Sequence, residues 1–248
     1  MKHPNPFRLN SVSPCLAAAL AAWVALAAPT TAQAQPKYGP ATTRLSQDNA
    51  YFRTAKTTDF WSLIPYYVPQ AKGSTCGLAS ITMVVNGARS GRDLDSETQL
   101  VTEAAVEKRI GGVPFGMKSL EHLESMTRSA LKEFGVSGAE SIVLRFEPKE
   151  ADALTALRKV LTEAENDPTV FLLANFDQKV FTEDTSVGHI APIGAYDAKK
   201  QRVLILDPDR GWYEPYWIPD SLLLKGIGTV DKGAGKLRGL VRIHIPAQ

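Results

Sequence analysis

From residue 169 onward the apolar residues stop recurring at helical spacing and run unbroken. "TVFLLAN", "GHIAPIGAYD" and "RVLILD" are short and bounded by polar segments, which is the pattern of buried strands. The four residues "AKKQ" between the second and third runs predict a tight turn, and so two antiparallel neighbours. Upstream the pattern is helical. "CGLASITMVVNGA" places apolar residues at 78, 81, 84 and 85, with Gly87 and "RSGRD" expected to stop the helix. Residues 96–110 read as a polar helix and "GGVPFG" as a turn. Residues 118–134 read as an amphipathic helix ended by Gly135, "SIVLRF" as a strand, and 149–165 as a third good helix. After the strand runs, "WYEPYWIP" is extended and aromatic, 219–226 a short helix, and "RGLVRIHIP" a last strand. Helices first and an antiparallel meander after predict an α+β unit, with an N-terminal helical half and a C-terminal sheet half.

The first 34 residues read as a secretory signal peptide. Lys2, His3 and Arg8 give a basic start, "LAAALAAWVALAA" a short apolar run, and "AQA" a small-residue cleavage site ending at Ala34. The other reading is an uncleaved anchor, although the run is short for a membrane span. Residues 35–50 are expected as a flexible lead-in and 51–248 as one domain. The whole chain has 28 basic and 26 acidic residues, and the leader carries Lys2 and Arg8 and no acid. The chain beyond Ala34 is therefore formally neutral. No basic stripe argues for nucleic acid. Stable membrane association is not expected once the leader is removed. The chain is expected to be periplasmic or secreted, and a homodimer is left open.

Cys15 lies in the leader, so Cys76 would stand alone in a compartment that favours disulfides. Such a cysteine is either inert and buried or reactive. Its place at the first turn of a helix favours the second reading, because free N–H groups and the helix dipole stabilise a thiolate there. A nucleophilic thiol needs a base. Of four histidines, His3 leaves with the leader, His122 sits on a mostly polar helix and reads as a surface residue, and His244 lies near the end of the last strand. His189 follows a glycine at the start of an apolar strand; it is either the base or a satisfied core histidine. Asp207 ends the strand paired with it by the 197–201 turn, so the two can lie side by side and Asp207 can fix the imidazole tautomer. Its other reading is a turn residue before Pro208. Gln70, six residues before the cysteine, can donate to the oxyanion formed by thiolate attack on a carbonyl. No zinc-ligand spacing and no Gly-rich phosphate loop are present.

Gln70, Cys76-Gly77 at a helix start, and a later Gly-His and acid resemble papain-like cysteine peptidases. "QAKGSTCGLASITMVVNGA", "VGHIAPIGAYD", "VLILDPDRGWYEPYWIP" and "GTVDKGAGKLRG" together resemble the catalytic domain of phytochelatin synthases, in particular the short bacterial members. The likeness covers about residues 60–242. It implies a papain-like fold and glutathione as substrate. It further implies Cys76 as nucleophile, His189 as base and acid, Asp207 as orienter and Gln70 in the oxyanion hole. Asn175, Gly188, Asp231 and Arg238 match positions that hold the γ-glutamyl end; Asp231 and Arg238 also read as a surface ion pair. No bound cofactor or metal is implied, metal ions entering only as thiolate complexes of the substrate. Residues 88–117 depart from the family's aromatic-rich insert, and Gln178 lies near a place where the family often has arginine. The chain ends soon after "RGLVRIHIP", read as the absence of a second, Cys-rich domain. Hydrolysis of the acyl-enzyme is therefore expected to exceed chain extension. The alternatives are a papain-like peptidase or amidase on another peptide, and a catalytically silent binding protein.

Overall fold

The computed structural model describes residues 37–56, 58–90 and 100–246. The expected leader and its cleavage site lie outside them, as does the start of the helix expected over 96–110. In chain order, the short strand β1 (Thr43–Arg44) precedes helices α1 (Thr58–Leu63), α2 (Cys76–Arg89), α3 (Glu103–Ile110) and α4 (Leu120–Glu133). There follow β2 (Glu140–Leu144), α5 (Ala153–Asn166), β3 (Val170–Asp177), the one-turn helix α6 (Gln178–Phe181), β4 (Gly188–Asp197), β5 (Arg202–Ile205) and β6 (Tyr216–Pro219). Helix α7 (Asp220–Ile227), a small hairpin of β7 (Val230–Asp231) and β8 (Lys236–Leu237), and β9 (Gly239–His244) complete the described chain.

Seven strands form one antiparallel sheet in the order β1-β6-β5-β4-β3-β9-β2. The β3–β6 meander is the one the apolar runs predict. Strand β9 does not extend it; it returns beside β3, and β2 pairs on its outer side. Alternate side chains feed two cores. Leu173, Leu204 and Leu206 pack with Leu78, Ile81 and Val85 of α2, whereas Leu172, Val203 and Ile205 pack with Leu157 of α5 and Leu223 of α7. Both faces of the sheet are covered, which is why its strands read as unbroken apolar runs. The fold is α+β, with α1–α4 leading and the sheet following, and α5 and α7 covering the sheet's second face.

Helix α2 is buried from Cys76 through Ala88. Ile81, Thr82, Val84 and Val85 are weak helix formers, each costing about half a kcal/mol against alanine. Burying an aliphatic side chain is worth about 1.5–3 kcal/mol, so packing decides the conformation. The helix runs through Gly87 to Arg89 rather than stopping there. A Cβ on Gly87 would lie 3.1 Å from both Leu63 and the Ser62 carbonyl, so this glycine serves the close approach of α1.

The lead-in expected to be flexible is docked from residue 37. Strand β1 pairs with β6 through Thr43 and Trp217, covering what would be an open sheet edge. The Tyr38 ring packs edge-on against Tyr213 and Tyr216, and its hydroxyl accepts from the Glu214 N–H at 2.8 Å. These aromatic contacts give a polar-looking segment a fixed place. Among the described residues no helix is long and apolar enough to cross a membrane.

Candidate active site

Cys76 is the first residue of α2, and its helix carries no side-chain cap. Thr75, at the cap position, has its hydroxyl engaged with the backbone of Lys72 instead. The first-turn N–H groups of α2 are thus left for another acceptor, and the positive end of the helix dipole lies at the thiol. Ser80 fixes this end of the helix to the sheet. Its Oγ lies 2.7 Å from the Cys76 carbonyl oxygen and 3.1 Å from that of Ile190, so one hydroxyl proton serves helix and strand together.

His189 and Asp207 are both buried. His189 Nε2 donates to Asp207 Oδ1 at 2.7 Å, which leaves Nδ1 as the ring nitrogen that can serve Cys76. Burial alone would lower the basicity of His189, but the negative charges of Asp207 and Cys76 and their hydrogen bonds outweigh it. The imidazole is held well above its ordinary value and is therefore protonated at neutral pH. Burial would raise the Asp207 carboxyl; the His189 charge and three donors turn the net shift downward. Those donors are His189, the Asp209 N–H at 2.9 Å and the Tyr216 hydroxyl at 2.9 Å. The Tyr67 hydroxyl adds a 2.6 Å bond to the Asp207 carbonyl. Tyr216 is itself pushed upward by burial and the neighbouring carboxylate, so its phenol stays a donor.

The approach of His189 to Asp207 depends on a bulge that equal spacing from the turn does not reveal. Near the turn, Tyr196 faces Val203 and Ala195 faces Leu204, but one step later Ile193 faces Ile205. The extra residue is Gly194. The Leu206 N–H to Pro192 carbonyl bond (3.0 Å) carries the shifted register onward. In the unshifted register Asp207 would fall opposite residue 192, on the other face of the sheet from His189, because faces alternate with period two. The bulge returns it to the face of residues 189 and 191. A Cβ at Gly194 would come within 2.8 Å of Leu206, so glycine is what lets the bulge pack.

The four residues matched to the γ-glutamyl end are brought together. Arg238 is buried; its Nη1 donates to Asn175 Oδ1 at 2.9 Å and to Asp231 Oδ2 at 3.3 Å. The guanidinium lies across Gly188, where a Cβ would stand 2.6 Å from Nη1. The Arg238–Asp231 pair is therefore part of a recess, not a solvated surface bridge, and the buried Arg238 Nε has no protein acceptor among the described residues. Asn175, Gly188, Asp231 and Arg238 line one cleft together with Cys76, of about 890 Å³.

Gln70 is tied by its backbone: its N–H donates to the Pro208 carbonyl at 2.8 Å, next to Asp207. Its side-chain oxygen is buried without a partner among the described residues. Two expectations change. His122, expected at the surface, is half-buried and lines the cleft with the segment 112–118. Of the residues of α4, His122 in its first turn is the one that lines the cleft. Gln178 is buried, with its backbone bonded to Val187, and is not among the residues lining the cleft. His244 lies at the end of β9 between Glu140 and Val170, away from the cleft. Tyr216 and Tyr67 escape sequence reasoning, because a tyrosine among aromatic core residues carries no sign that its hydroxyl meets a buried aspartate. Among the described residues no three His, Cys, Asp or Glu side chains are placed to hold a metal ion.

Comparison with known proteins gives the arrangement a context. Glutathione gamma-glutamylcysteinyltransferase 1 of Triticum aestivum is 30% identical over 190 residues, covering 74% of this chain and 35% of the relative. The enzyme of that name from Arabidopsis thaliana is 28% identical over 197 residues, covering 75% and 37%. The Schizosaccharomyces pombe glutathione gamma-glutamylcysteinyltransferase is 24% identical over 197 residues, covering 76% and 44%. The chain thus spans less than half the length of these relatives. Among solved structures, the Pseudomonas avirulence protein AvrPphB aligns over 73% of this chain and 97% of its own, with a TM-score of 0.32 and 10% identity, a loose likeness. A sequence model described as phytochelatin synthase matches residues 41–240, and the chain belongs to that family.

Proposed function

We propose that this protein is a thiol enzyme that cleaves the Cys–Gly bond of glutathione through an acyl-enzyme on Cys76. The observation that carries the reading is one cleft joining the Cys76 thiol to the recess of Arg238, Asp231 and Asn175. The γ-glutamyl end of glutathione offers a free ammonium and a free carboxylate on one carbon, and an aspartate beside an arginine answers both. The names of the relatives carry the same substrate.

The Cys76 thiolate attacks the carbonyl carbon of the Cys–Gly peptide, and the oxyanion is met by the first-turn N–H groups of α2 and by Gln70. His189, protonated and oriented by Asp207, gives its proton to the departing glycine nitrogen as the C–N bond breaks. Glycine leaves and the γ-glutamylcysteinyl thioester remains. Neutral His189 then takes a proton from water, whose oxygen attacks the thioester; γ-glutamylcysteine and the thiolate are released. The amine of a second glutathione could replace water and extend the chain.

Hydrolysis is proposed as the main outcome. Water needs no binding site, and in an exported enzyme, as the leader suggests, an acceptor peptide is dilute. The test is product analysis at millimolar glutathione, with and without cadmium or zinc ions. Equal amounts of glycine and γ-glutamylcysteine are expected. A dominant dimeric phytochelatin would make the protein a transferase, and intact glutathione would leave the amidase reading on another peptide.

A further inference from the structure

We infer that Lys118, assisted by His122, holds the glycine carboxylate of the substrate. This rests on the glutathione reading and adds the second half of the recognition. Glutathione carries two carboxylates and one ammonium. The side chains lining the cleft include two cations, Lys118 and Arg238, and one acid, Asp231, a one-for-one complement. Arg238 is already held by Asn175 and Asp231 in the recess. Lys118 is the other cation, and it makes no ion pair among the described residues, whereas many lysines and arginines nearby do.

The placement fits the leaving side of the scissile bond. The segment 112–118 lies against the strip that carries the nucleophile. A Cβ on Gly77 would come 2.7 Å from two atoms of the Met117 side chain, so Met117 packs on the residue beside Cys76 and Lys118 comes directly after it. A Cβ on Gly116, which has a positive φ of 82°, would stand 3.7 Å from the Ser74 carbonyl. That left-handed turn brings the segment along the cleft. His122 contributes a fixed donor. Its Nδ1 accepts from the Lys118 N–H at 3.1 Å. Burial first and the Lys118 charge second hold it below its ordinary range, so the ring is neutral and its proton lies on Nε2. An ammonium and an imidazole N–H at one wall of a cleft make a site for a carboxylate.

The experiment compares glutathione with its glycinamide analogue, which lacks only the terminal charge, in the wild-type protein and in Lys118→Gln, monitoring glycine or glycinamide release. Lys118 is exposed, so the variant should fold, which a melting curve verifies. The wild type should prefer glutathione. In Lys118→Gln, kcat/KM on glutathione should fall roughly tenfold through KM, with turnover of the amide unchanged and the preference gone. His122→Ala should move the same ratio in the same direction. Equal losses on both substrates, or no loss on either, would overturn the assignment while leaving the glutathione reading intact. A wild type that releases neither glycine from glutathione nor glycinamide from the analogue would sink both.

Discussion

Cys76→Ser is expected to keep the fold and to lose glutathione cleavage by roughly 10³-fold or more. The side chain lies at the edge of the core, 7% exposed, and the exchange of sulfur for oxygen removes little volume. Ser80, which ties α2 to β4 at this end, is untouched. What changes is the nucleophile. A thiolate can exist beside a protonated imidazole at a helix N-terminus, whereas a serine hydroxyl stays protonated and needs a neutral histidine as base. His189 owes part of its raised basicity to the Cys76 charge, which the serine variant lacks, and the poorly nucleophilic hydroxyl must lose its proton to that histidine in the attack itself. Glycine release per enzyme in a single turnover is the measurement; substantial release by the serine variant would remove the thiol mechanism.

The second large effect is expected from Asp207→Asn. Turnover should drop by roughly 10²–10⁴-fold as the imidazole loses its orientation and charge partner. The pH profile gives the more specific readout. In the wild type, burial depresses His189 and the charges of Asp207 and Cys76 raise it past its ordinary value. The reactive pair therefore persists through neutral pH and is lost only as pH rises through that elevated value, where His189 gives up its proton. Removing the Asp207 charge leaves burial less opposed, so the alkaline limb of the profile should move to lower pH. With its oxygen at the Oδ1 position the asparagine still accepts from the Asp209 N–H, and its NH2 can donate to the Tyr216 hydroxyl oxygen, which preserves the local fold. An Asp207→Asn enzyme with near wild-type turnover and an unmoved alkaline limb would reduce Asp207 to a turn residue.

The features legible in the sequence divide from the rest along physical lines. Strand β4 coincides with "GHIAPIGAYD" because a sheet covered on both faces needs every residue of that run after Gly188 to be buried. The hairpin to β5 is legible as a short polar turn, and the cysteine's place at a helix start as the onset of a 3.6-residue period. The Gly194 bulge is not legible, since register is settled by how Leu206 and the strand pack, not by local pattern. The same holds for His122. Its helix is polar, and only the approach of 112–118 to Gly77 makes a cleft in which this one side chain becomes part of the wall. Gly87 and the 37–50 lead-in mislead for the converse reason: a glycine and a polar run look like breaks until a neighbouring helix or sheet edge packs on them. The recess of Asn175, Asp231 and Arg238 is suggested only by family resemblance. Asn175, Gly188 and Arg238 stand on three different strands or their junctions, and nothing in their spacing predicts that they meet.

The central claim is a covalent one: the γ-glutamylcysteinyl group passes through a thioester on Cys76. The most direct measurement is mass spectrometry of the intact protein and its Cys76 peptide, quenched in acid soon after mixing with glutathione. The expected adduct has the mass of glutathione less glycine, sits on Cys76, resists a reducing agent and is released by hydroxylamine. An adduct with the full mass of glutathione that a reducing agent removes, or glycine release with no acyl group found on Cys76 at any quench time, would contradict it.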